Sequence, residues 1–152
     1  KLLYLAEREG FRRHGRPICG DFYVSMKLGP VMSNVLNLAK EHPAAEAASW
    51  PTHIRLEPRH GVRLVKDPGI GPLSEAEIRI LDDVLARHGR LNQWALSDLT
   101  HQFPEWKPEV TWHPITPEDI LRALEKTEEE IAAIAEESAE TNYFDALFSE
   151  QK

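Results

Sequence analysis

The sequence predicts a mainly α-helical, compact domain with a small β-hairpin or short sheet and a long acidic C-terminal helix. Three observations predict it. Apolar residues recur at helical spacing behind start signals at Ser74 and at Thr116-Pro117. Alternating apolar and polar residues are confined to two short stretches, 22–28 and 54–64. Acidic residues crowd the end of the chain, where residues 116–152 carry eleven carboxylates against Arg122, Lys126 and Lys152.

The 152 residues, 41% hydrophobic and 28% charged, suit one ordinary globular domain able to bury a core. No apolar run approaches the ~18 residues of a membrane span, and no signal segment is visible, so no membrane partner is expected. The chain opens on Lys1 with an apolar run already under way, so its natural start is expected upstream. Cys19 is the single cysteine, which excludes an internal disulfide and a thiolate cluster. A reducing cytoplasm is the expected location. The net charge is −7, and the acidity lies in the C-terminal segment, a pattern opposite to the basic stripe of a nucleic-acid binder.

Residues Leu2 to Arg13 read as a helix ended by Gly15-Arg16-Pro17. Phe22, Val24, Met26 and Leu28 alternate with more polar neighbours, as in a half-buried strand. Gly29 then turns the chain, and Pro30 is expected to open a helix anchored by Val31, Val35 and Leu38. Ile54, Leu56, Val62 and Leu64 alternate about Pro58-Arg59-His60-Gly61, as in a hairpin. Ser74 with Glu77 forms a capping-box pattern before a helix expected to bury Ile78, Leu81 and Leu85 and to stop at Gly89. A shorter helix with Ala95, Leu99 and Phe103 ends at Pro104. Thr116-Pro117 opens what reads as one helix striped by Ile120, Leu124, Thr127, Ile131, Ile134 and Ser138. Residues 1–115 thus read as the helical domain, and 116–152 as an acidic helix and tail packed on it or on a second subunit.

Four stretches fall in a telling order: KLLYLAE at 1–7, GRPICGDFYVSMKLGPVMSNV at 15–35, LSEAEIRILDDVLARHG at 73–89 and LSDLTHQFPEW at 96–106. Together they resemble the Panacea-domain family, the antitoxin-like group that includes the SocA proteolytic adaptor. The resemblance implies a mostly helical cytoplasmic protein encoded beside a toxin gene in a bacterium or phage. It implies neutralisation of the cognate toxin by direct contact and, in SocA-like members, delivery of that toxin to a AAA+ protease. Gly20, Asp21, Gly29, Pro30, Val31 and His101 stand within these motifs as structural positions. The acidic stretch after Thr116 lies outside the resemblance.

Candidate chemistry is sparse. Among the seven histidines (14, 42, 53, 60, 88, 101 and 113) there is no H-x-x-x-H or H-x-H pair. His101 and His113 could share a site with Asp98 or Glu105, but packing or capping roles are the simpler expectation, and no metal or cofactor is expected. Cys19 and Ser25 lack a nucleophile motif, and Asp21 beside Cys19 would raise its pKa. Asp82-Asp83 reads as a solvated helix side. No phosphate-cradling glycine motif is present, and Gly29-Pro30 offers only one glycine and one missing N–H.

A binding protein without catalysis is therefore expected. The alternative function is a DNA-binding autorepressor using the helices of Ser74–Phe103 or the basic hairpin residues Arg55, Arg59, Arg63 and Lys66. DNA is the less favoured partner, because the helix NQWALSDLTHQF carries no Lys or Arg. Trp106 and Trp112 flank an apparent loop and are candidate interface anchors or core covers. Tyr143, Phe144, Leu147 and Phe148 form an apolar knot suited to a protein partner or a second copy.

Overall fold

The computed structural model describes residues 1–40, 50–58, 61–109 and 111–149, with side chains described through Thr141. In chain order the elements are α1 (Leu2–His14), β1 (Tyr23–Met26), β2 (Gly29–Met32), α2 (Ser33–Leu38), α3 (Trp50–His53), β3 (Ile54–Glu57) and β4 (Gly61–Leu64). There follow α4 (Glu75–His88), α5 (Gln93–Thr100), β5 (Trp112–Ile115), α6 (Pro117–Ala123) and α7 (Glu128–Ser149). The mainly helical class, the short sheets and the long C-terminal helix stand as the sequence predicts.

α1 is the central element because both of its sides are apolar. Tyr4 and Phe11 join Tyr23, Met32, Ile115, Ile120, Leu121 and Ile131 in one buried cluster. Leu5 and Ala6 join Ile80, Val84 and Leu96 in a second. Gly15 closes the helix in the left-handed region, and a Cβ there would meet Ile134 at 3.1 Å, so α7 passes directly over this cap.

β1 lies between β2 and β5, antiparallel to both. Tyr23, Met32 and Ile115 face the core, while Val24, Met26, Val31, Trp112 and Pro114 share the opposite face. The expected half-buried strand is corrected here. Tyr23, Val24 and Ser25 are all buried, and Phe22 and Leu28 are exposed. Val24, on the face opposite Tyr23 and Ser25, is itself only 1% exposed, so burial does not alternate along this central strand.

Pro30 does not open a helix. It sits in β2, and α2 begins three residues later at Ser33. Proline is tolerated there because β2 is an edge strand and needs no ladder N–H on its free side. Of the predicted anchors Val31, Val35 and Leu38, Val35 packs against the first cluster and Val31 belongs to the sheet.

The predicted hairpin is β3–β4, with Ile54 opposite Leu64 and Leu56 opposite Val62. It forms its own two-stranded sheet. The capping box at Ser74 forms in full with Glu77. The inward face of α4 is rotated from the expected one: Ile80 and Val84 are buried, and Leu85 is exposed. The segment holding Trp112, read as loop, is strand β5.

The single helix expected after Thr116 is two helices. α6 ends at Ala123, Glu125 takes φ 63°, and Thr127 caps α7 through a second reciprocal pair with Glu130. No helix among the described residues is long and apolar enough to cross a membrane.

A charged seam ties α1 to α4. Glu9 accepts hydrogen bonds from Arg12 and Arg13, and Arg13 also bonds Asp83 at 2.7 Å. Hydrogen bonds from Arg12, and then Arg13, outweigh partial burial and hold the Glu9 pKa at about 2, below the ordinary 4.5. A depressed carboxyl pKa stabilises fully above the unfolded value and loses that contribution as pH falls toward the folded one. Glu9→Gln should therefore lower stability at pH 7 by about 1 kcal/mol after solvent screening. The gap between variant and parent should close between pH 5 and pH 2 in thermal melts; a gap that is constant with pH would refute the linkage.

Candidate interaction surface

The motif residues are used inside the fold. Glu7, buried on α1, accepts hydrogen bonds from Cys19 N at 2.8 Å, Gly20 N at 3.3 Å and the Tyr23 hydroxyl. Gly20 has φ 65°, which turns its N–H toward that carboxylate. Asp21 accepts from Asn34 N and Val35 N, both at 3.0 Å. It thereby caps α2, whose own N-cap residue, Met32, provides no side-chain hydrogen bond.

The β1–β2 turn is held through its carbonyls. Trp106 Nε1 donates to Met26 O at 2.9 Å, Ser97 Oγ to Leu28 O at 2.8 Å, and Lys1 Nζ to Pro30 O at 3.0 Å. His101 stacks on Trp106 with ring centroids 3.8 Å apart and lies 3.3 Å from Ser97 Oγ. Gly29 has φ 100°, and a Cβ on it would lie 2.4 Å from Thr100 Oγ1 and 2.7 Å from Lys1 Nζ. Only glycine lets this turn approach α5 so closely. Trp106, a candidate partner anchor, thus has internal partners in the structure.

Glu105 is the second buried carboxylate. Its Oε1 accepts from the Tyr4 hydroxyl at 3.0 Å and from Arg8 Nε at 2.9 Å, while Arg8 lies over the Phe103 ring at 4.1 Å. Burial, and then the charge of Glu105, push the Tyr4 hydroxyl upward in pKa. His113 lies 2.9 Å from Lys107 Nζ, so His101 and His113 have different neighbours. Among the described residues no three His, Cys, Asp or Glu side chains converge as a metal cluster.

Two surface features remain. The first is the outer face of the three-stranded sheet, where the strand register gathers apolar side chains alone: Val24, Met26, Val31, Trp112 and Pro114. Phe22 packs against Trp112 with centroids 6.2 Å apart, and the two are 49% and 55% exposed. An antiparallel sheet facing water normally carries polar residues on that side. The second is a groove of about 790 Å³ between the end of α1, the 15–20 loop, α6 and α7. Its apolar side rests on the buried cluster residues Phe11, Leu121 and Ile131 and on Ile134, and its charged lining is mixed, with Glu77, Glu118 and Glu137 beside His14 and Arg16.

Trp112 was legible as a candidate from sequence; its neighbour Phe22 was not, because alternation placed it inward. Glu7 was also missed, although a carboxylate one turn after Tyr4 in an apolar helical run is a signal. Asp83 of the Asp82-Asp83 pair bonds Arg13. Ser25 Oγ accepts from Lys107 N at 3.0 Å. Tyr143, Phe144, Leu147 and Phe148 lie along α7, with side chains outside the described residues, as are His42, Arg59 and His60.

Cys19 keeps exposed surface, yet burial and the adjacent Glu7 carboxylate push its thiol up to about 12. Alkylation by iodoacetamide at pH 8 should run at least about tenfold slower in the folded protein than in urea. Equal rates would contradict this placement. Gly29→Ala should cost about 2–4 kcal/mol by urea denaturation, from backbone strain plus overpacking. Gly20→Ala should cost only about 1 kcal/mol, because its Cβ would meet nothing closer than Pro17 at 3.8 Å.

A family model described as antitoxin SocA-like, Panacea domain, matches residues 1–107. No curated protein and no solved structure matches the chain. The matched span holds α4 and also α1, the β1–β2 hairpin, α2 and α5, the elements fastened by Glu7, Asp21, Gly29, Ser97 and Trp106. The chain belongs to the SocA-like antitoxin family defined by the Panacea domain.

Proposed function

We propose that this protein is an antitoxin that binds a cognate toxin directly and neutralises it by covering a functional face, without catalysing a reaction itself. The observation that carries the reading is the family match over residues 1–107. The placement of the motif residues supports it. They fasten the scaffold, which leaves recognition to surface side chains such as Phe22 and Trp112. Two adjacent, half-exposed aromatics beside an apolar sheet face have the character of interface anchors.

Co-expression with the product of the adjacent gene tests the reading. The protein should restore growth and co-purify with that product. Phe22→Asp with Trp112→Asp should weaken the complex at least about 30-fold, the scale of a hot-spot loss. No rescue and no complex with the parent protein would refute the antitoxin reading. Toxin lifetime separates the two modes of neutralisation: an adaptor shortens it in the presence of a AAA+ protease, and a masking partner leaves toxin intact in the complex.

A further inference from the structure

We draw no further inference here: the strongest candidate, the Glu105 carboxylate beside the cleft of about 330 Å³ between residues 104–107, β5 and α6, whose Oε2 has no hydrogen-bond partner among the described residues, carries nothing because its side chain is fully buried and out of reach of anything held in that cleft.

Discussion

A single buried carboxylate governs the layout. Glu7 sits in the middle of α1, 1% exposed, on a helix that is apolar on both flanks. A carboxylate taken out of water is costly unless its oxygens are hydrogen-bonded. The donors that meet this need come from Cys19, Gly20 and Tyr23. The loop after α1 must therefore fold back along the helix, which fixes where β1 starts and which way it runs. Gly10 permits this return, since a Cβ on it would lie 2.9 Å from Arg16 O. Once β1 is placed, Tyr23 lies edge-on to both Tyr4 and Phe11, and the first core cluster closes around that contact.

The rest of the motif follows from the same placement. The tight β1–β2 turn presents its carbonyls to donors from other segments. Trp106, Ser97 and Lys1 satisfy three of them. Each donor comes from a different part of the chain, so the turn acts as a knot that joins the first residues to α5 and the 101–107 segment. This explains why a family signature can lie in scattered short stretches. The order of those stretches records which segments meet around one turn, and their polar residues serve that meeting.

The legible part of the fold was what local chemistry decides. Ser74 with Glu77 and Thr116 with Asp119 read correctly as helix starts, because a capping box is complete within four residues. Alternation found β3 and β4, where one strand face is apolar and the other charged. Tertiary context decided the rest. Leu85 and Ile80 are equally apolar, and only the crossing of α4 over α1 selects Ile80 for burial. β5 has the sequence WHPI, and its proline is accommodated because β5 is an edge strand. Thr127 fitted a heptad stripe, yet Thr127 with Glu130 is a capping box inside an acidic run, and it marks the break between α6 and α7. For the surface, Trp112 was legible by size and setting. Phe22 and the groove were not, because both depend on elements distant in sequence.

The family match ends at residue 107, but the core does not. Ile115, Ile120, Leu121 and Ile131 share a cluster with Tyr4 and Phe11. β5 completes the sheet and contributes Trp112 to its outer face, opposite Met26 from the matched region. Gly15 is shaped to receive Ile134 of α7. The segment after the match thus finishes the hydrophobic core while adding half of each exposed surface feature. Glu7, Asp21 and Gly29 therefore fasten the matched scaffold, and the strand and helices after residue 107 are laid against it. Trp112 lies at the edge of the packing that Ile115 anchors, where substitution is tolerated better than in the core.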